Sequence, residues 1–177
     1  ALDDADIPLQ IGMAAEVRVS MEIIQMLAAE TIPFLGEYKG DKVMLLEFPH
    51  ENIPPGSDKL VDWLFAHDVC PMIAHPERNK DVMRDLSKIT PFVSAGCLLQ
   101  LTASSVAGYF GQVIEQRSAE LLEKGWVTVM ASDAHNLNYR TPELESGRKA
   151  AAAIIGDEEA KKLVKDNPWS IVQNLFE

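Results

Sequence analysis

The sequence predicts an α/β fold, a parallel sheet or barrel covered by helices. Short apolar runs alternate with amphipathic segments along the chain, which is how strands joined by helical crossovers are written in sequence. The 177 residues, 47% of them apolar, suffice for one buried core, so 1–177 reads as a single domain. Four of the apolar runs carry or end in a residue able to bind a metal ion. Parallel strands would bring those ends to one face, where such folds place their chemistry.

Taken in order, strands are predicted near 11–19, 43–48, 70–75, 97–102 and 126–132. Segments 20–29 and 58–67 between them have helical spacing, and 112–124 runs into Gly125, a good C-terminal stop. From Pro142 onward the chain reads as three helices: 150–155 is rich in strong helix formers, and Asn167-Pro168 opens a final turn. No internal repeat and no low-complexity linker interrupts this pattern.

A net charge of -11 disfavours nucleic acid as a partner and discourages an anionic membrane, because phosphate binding needs clustered Lys and Arg. Carboxylates gathered around cations would account for part of that charge. Two cysteines, Cys70 and Cys97, are too few for a disulfide framework and suit a reducing cytoplasm. No run approaches the roughly 20 apolar residues of a membrane-spanning helix. The acidic start Ala1-Leu2-Asp3-Asp4 lacks the basic opening of a signal peptide.

The chemistry gathers at the strand ends. Asp133 and His135 follow the apolar run 126–130, and in an extended chain residues two apart project to one face. Ser132 and Asp133 are also good helix caps, the plainer reading of that segment. His75 closes the run 71–74, just before Pro76-Glu77-Arg78, and a turn histidine is its plainer reading. Glu47 ends the apolar run 43–46, where a lone carboxylate is costly unless paired or bound to a cation. Glu16 lies among small and apolar residues. His50, in a Pro-rich loop, and His67, on a polar helix face, are set aside, and Glu77 is read as structural, capping a helix or pairing with Arg78.

Carboxylate and imidazole ligands without cysteine suit Mn, Fe or Zn in an open, multinuclear site, which activates water. Arg78 and Arg140 lie close in sequence to these ligands, and planar guanidinium groups bind phosphate in a bidentate manner, so a phosphate ester is the expected substrate. Ordinary surface ion pairs are the alternative for both. A cysteine phosphatase is excluded, because the positions six residues after Cys70 and Cys97 are Pro76 and Ala103 rather than Arg. Neither a Walker-type glycine loop nor a Gly-x-Ser-x-Gly elbow occurs.

These segments resemble the polymerase and histidinol phosphatase (PHP) superfamily, and within it the bacterial manganese-dependent protein tyrosine phosphatases of capsule and exopolysaccharide operons. The resemblance rests on Ile73-Ala74-His75-Pro76-Glu77-Arg78-Asn79, Gln100-Leu101-Thr102-Ala103-Ser104-Ser105, Leu121-Leu122-Glu123-Lys124-Gly125, Ala131-Ser132-Asp133-Ala134-His135-Asn136-Leu137 and Arg140-Thr141-Pro142. It implies a distorted seven-stranded (β/α) barrel holding two or three Mn ions. Glu16, Glu47, His75, Asp133 and His135 would be the metal ligands, with Arg78 and Arg140 on the phosphate. The implied substrate is phosphotyrosine on the tyrosine-rich tail of a bacterial tyrosine kinase that regulates polysaccharide export.

Family members open with a His-x-His strand, and the histidines here are only His50, His67, His75 and His135. An N-terminally truncated part of the barrel is therefore expected, with an edge strand near 11–19 open to pairing with another chain or a second copy. Two other readings stand beside the tyrosine phosphatase: a noncatalytic remnant that binds a kinase tail, and a PHP enzyme for a small ester such as histidinol phosphate.

Overall fold

The computed structural model describes residues 6–176; Ala1 to Ala5 and Glu177, including the acidic start, lie outside it. In chain order the elements are β1 (Glu16–Arg18), α1 (Glu22–Ala28), β2 (Gly36–Tyr38), β3 (Asp41–Glu47), α2 (Ser57–Phe65), β4 (Val69–Ala74), α3 (Lys80–Arg84), α4 (Thr90–Ala95), β5 (Leu98–Thr102), α5 (Ala103–Val106), α6 (Gln112–Glu123), β6 (Val129–Ala131), α7 (Glu145–Ile155), α8 (Asp157–Lys161) and α9 (Asn167–Val172). A 3-10 turn over Pro76–Arg78 separates β4 from α3, and a π-helical turn over Lys162–Asp166 joins α8 to α9. No helix among the described residues is long and apolar enough to cross a membrane.

The sheet has the order β1-β3-β4-β5-β6, parallel throughout that path. The free edge of β3 is shared: β1 pairs in parallel with Leu45 to Glu47, and β2 pairs antiparallel with Asp41 to Val43. Among the described residues the sheet stays open between β1 and β6, so the α/β class with a parallel sheet is realised without barrel closure. The predicted strands over 11–19 and 126–132 shrink to three residues each, and β2 is an addition.

Strand periodicity divides the side chains between two faces. Met44, Leu46, Ile73, Leu99, Leu101 and Met130 enter the large core under the helices. Val43, Cys70, Met72, Leu98 and Val129 point the other way and form a smaller cluster with Ile171 of α9. Glu16 and Glu47 belong to this second face, because they alternate with the core residues Val17 and Leu46. Thus α9 covers the beginning of the second face, while its strand ends carry acidic groups.

Two glycines make close approaches possible. Gly36 has φ +140, and a Cβ there would lie 1.9 Å from the Ile171 carbonyl oxygen, so α9 docks onto β2 only because that side chain is missing. On α7, a Cβ at Gly147 would lie 2.6 Å from the Ala103 carbonyl oxygen and 2.7 Å from its Cα, which fixes α5 against α7 directly after β5. Gly147→Ala should therefore destabilise the fold by about 1–3 kcal/mol through overpacking, read as a lower midpoint of chemical denaturation.

Candidate metal and phosphate site

Three of the predicted ligands converge by register. Glu16 is paired with Leu45 in the β1–β3 ladder, and Glu47 closes β3 two residues later. Leu46 is paired with Ile73, and His75 follows two residues after it. The outcome is a set of ligand atoms from Glu16, Glu47 and His75 all within 4.8 Å of one another. His75 Nε2 lies 3.0 Å from Glu16 Oε1 and 3.7 Å from Glu47 Oε1. Two carboxylates and one imidazole on a common centre are the donor set of a divalent cation, which would relieve the repulsion between the acids.

Sequence makes the His75 corner rigid. His75 adopts a left-handed conformation, φ 32 and ψ 54, and its N–H donates to the Gln100 carbonyl at 2.8 Å. Glu77 faces inward and is fully buried; its Oε1 accepts the Thr102 N–H at 3.1 Å. Burial raises its pKa, opposed in part by the hydrogen bond from the Thr102 backbone. The structural role read from sequence holds, although the partner is the end of β5 rather than Arg78. Asn79 caps α3, its Oδ1 accepting from Asp81 N at 3.0 Å and Val82 N at 3.3 Å, while its Nδ2 donates to the Pro49 carbonyl at 2.7 Å. Lys80 N donates to the His50 carbonyl at 2.8 Å.

Those two backbone links deliver His50 to the site. Its ring centroid lies 5.7 Å from that of His75, a correction to the reading that set it aside. Burial first, then the charges of Arg78 and His75, lower its pKa and favour the neutral ring. Arg18 was also missed: its Nε donates to Glu47 Oε2 at 3.3 Å, and it shares a face with Glu16 two residues earlier, a period-two signal present in the sequence. His67 stays away from the site, stacked on Trp63 with ring centroids 3.9 Å apart.

Asp133 lies outside the three-residue group and serves two guanidiniums. Arg78 Nη1 donates to Asp133 Oδ2 at 2.6 Å, and Arg140 Nη2 pairs with the same oxygen. Phe110 lies under Arg78, its ring centroid 5.4 Å from the guanidinium carbon. His135 is exposed; its Nδ1 lies 2.9 Å from the Asp133 carbonyl oxygen, a contact that requires the proton on Nδ1 and leaves Nε2 available as a donor atom. A knot of hydrogen bonds places Arg140. Asn136 Oδ1 accepts the N–H groups of Asn138, Tyr139 and Arg140 at 3.0, 2.7 and 3.2 Å, while His135 N donates to the Arg140 carbonyl at 2.8 Å.

The thiols stand apart from this chemistry. Burial pushes Cys70 up to about 11 and Cys97 up to about 12, which leaves both protonated and unreactive at neutral pH.

Comparison with known proteins adds the family context. Residues 1–173 match the family model described as capsular polysaccharide synthesis, CpsB/CapC. The chain is 35% identical over 141 residues to the tyrosine-protein phosphatase YwqE of Bacillus subtilis, covering 78% of this chain and 54% of that one. To the tyrosine-protein phosphatase CpsB of Streptococcus pneumoniae it is 27% identical over 175 residues, 94% of this chain and 69% of the other. It thus spans about half the length of the YwqE relative. The crystal structures of YwqE from Bacillus subtilis and CpsB from Streptococcus pneumoniae, metal-dependent tyrosine phosphatases, provide a match at TM-score 0.88 and 30% identity over 98% of this chain and 68% of that one.

Proton linkage at the ligand group gives one expectation. Burial of the His75 ring opposes its protonation most strongly, but the hydrogen bond to Glu16 together with the charges of Glu77 and Glu16 raises the pKa above 6.5; the hydrogen bond to His75 also lowers Glu16 below 4.5. The Glu16 contribution is complete above pH 4.5 and lost as pH falls through its lowered value. The His75 contribution is complete below pH 6.5 and lost as pH rises through its raised value. Metal-free protein should therefore melt highest between pH 4.5 and 6.5 and lower once the pH passes the raised His75 value, whereas divalent-ion affinity, which needs neutral His75, should rise as the pH climbs through that value. Calorimetric titration and thermal melts at several pH values check both trends.

A second expectation concerns the buried brace. Glu77→Ala leaves the Thr102 N–H unpaired and should cost about 1–3 kcal/mol, whereas Glu77→Gln keeps an acceptor and should cost less. Denaturant midpoints of the two variants measure the difference.

Proposed function

The chain belongs to the CpsB/CapC family of capsular polysaccharide synthesis, and from that membership we propose that its site is that of a metal-dependent phosphatase acting on protein phosphotyrosine. The observation that carries this reading is the pairing of two half-sites, the Glu16, Glu47 and His75 group and the Arg78 and Arg140 pair meeting on Asp133, with the Arg78 charge felt at both Glu16 and His75. Charge supports the pairing, because one carboxylate facing two guanidiniums leaves one positive charge free for a phosphate dianion.

Glu16, Glu47 and His75 would hold the metal, with Asp133 and His135 completing its ligands. Mn is the proposed ion, two or three in the complete site, and Fe or Zn suit the same donors. Bound ions of this kind supply activation of water and neutralisation of phosphoryl charge. Arg78 and Arg140 grip the phosphoryl oxygens and orient phosphorus, and Phe110 fixes the plane of Arg78 from below. His75 would offer Nε2 to the centre once the proton it shares with Glu16 is released.

The sheet is proposed as part of a distorted seven-stranded barrel whose inner wall is the face bearing Val43, Met72 and Glu47. The proposed partner is the phosphotyrosine tail of a bacterial tyrosine kinase in the cytoplasm, and the open edge of β1 is the proposed place for self-association. Phosphate release from a phosphotyrosine peptide by the full-length protein, with and without Mn, tests the reading. Arg78→Ala should lower kcat/KM by about 10²–10³-fold, and Asp133→Ala should abolish the Mn stimulation. Equal turnover in wild type and both variants would overturn the assignment, and faster hydrolysis of histidinol phosphate than of the peptide would redirect it to a small ester.

A further inference from the structure

Beside the arginine pair lies a cleft of about 480 Å³ to which no role has yet been given. Its walls include Tyr109, ahead of α6, Asn138 and Tyr139 of the 135–140 loop, and Thr141. Two adjacent pairs of residues join it to the phosphate-binding groups. In Tyr109-Phe110, Phe110 lies under Arg78 while Tyr109 lines the cleft. In Tyr139-Arg140, Arg140 reaches Asp133 while Tyr139 lines the cleft. Each cleft tyrosine is thus one residue along the chain from a group that positions an arginine or is one, which brings the cleft close to the place where Arg78 and Arg140 would hold a phosphate.

The two tyrosines are 67% and 91% exposed, although large aromatic rings are generally drawn into contact with other surfaces. The Asn136 knot described above holds Tyr139 N at 2.7 Å, so its ring projects from a fixed backbone rather than a slack loop. The charged groups at the cleft already have partners: Glu145 pairs with cations, and Glu143 accepts from Ser146. Arg148 binds both oxygens of Glu145 at 2.9 and 3.0 Å, Lys149 Nζ lies 3.5 Å from Glu145 Oε1, and Ser146 N donates to Glu143 Oε1 at 2.9 Å. What remains for a ligand includes two aromatic faces, the Asn138 amide and the hydroxyls of Ser104 and Thr141. These surfaces fit the backbone and an uncharged, preferably planar, side chain of a peptide, and they offer nothing to a second phosphate.

We propose that this cleft is a specificity subsite that binds the residues flanking the phosphotyrosine, with Tyr109 and Tyr139 as its walls, so that the enzyme selects peptides over small aryl phosphates. The proposal rests on the phosphatase reading and extends it. Rigid aromatic walls lose little conformational freedom on binding, and stacking gives them selectivity for planar groups.

The test compares the full-length Mn-loaded protein with the variants Tyr109→Ala, Tyr139→Ala and the double variant on two substrates, p-nitrophenyl phosphate and a phosphotyrosine peptide with an aromatic residue beside the phosphorylated one. The double variant should raise KM for the peptide by about tenfold, the loss of one to two aromatic contacts, and the peptide-to-nitrophenyl ratio of kcat/KM should fall by a similar factor. A parallel change in both substrates, or no change in the ratio, would overturn the subsite. Absence of turnover on both substrates in the wild type would instead overturn the phosphatase reading. Binding of the unphosphorylated peptide, followed by fluorescence anisotropy, separates the two failures: the subsite predicts weak binding to the wild type that the double variant loses, and equal anisotropy in both proteins counts against it.

Discussion

Parallel register governs this molecule more than any other constraint. The ladder that aligns Glu16 with Leu45 and Leu46 with Ile73 sets the spacing of the three ligand side chains at the strand ends. A slip of one residue in β1 would turn Glu16 into the helix-covered core and bring Val17 to the acidic face, because strand side chains alternate with a period of two. The core residues Val17, Leu46 and Ile73 oppose such a slip. Hydrophobic burial on one face thus specifies metal-ligand geometry on the other.

A second control comes from the loops above the strands. The His75 to Asn79 turn is tied to β5 through Glu77 and to the Pro49-His50 segment through Asn79, and the Asn136 knot fixes the loop that carries Arg140. Left-handed backbone at His75 and Asp133 marks both strand exits, φ 32 and φ 51. Aspartate tolerates this region because its short side chain makes local hydrogen bonds, whereas histidine there is held by its surroundings. The site is consequently over-determined at its backbone and open at its side chains.

Much of this could be read in the sequence. Apolar runs ending in Glu47, His75 and Asp133 announced the strand ends, and period-two spacing grouped the side chains. The turn containing Pro76-Glu77-Arg78 reads as polar surface, so the burial of Glu77 was not legible, and neither was its attachment to Thr102. His50 reaches the site through the Asn79 side chain on the Pro49 carbonyl and the Lys80 N–H on its own, contacts that leave no trace in periodicity. The strand Gly36–Tyr38 has too few residues to show alternation, and α3, α4 and α5 are shorter than the window in which a helical period emerges. Closure into a barrel depends on pairing beyond β1 and β6, which the pattern within one strand does not encode.

Glu16 sits on a three-residue edge strand of the sheet. Among the described residues, only three register pairs with β3 and the single core residue Val17 tie its length to the sheet, and the chain ahead of it exposes Ile7, Leu9, Ile11 and Met13 at alternate positions. Thermal fraying begins at such edges, so the carboxylate that joins His75 is also the one whose backbone opens at least cost. A cation clasped between this margin and the buried turn would act as a rivet. Its departure and the loosening of the border would then be a single event, giving proteases and exchange-labile amides an early report of an empty centre.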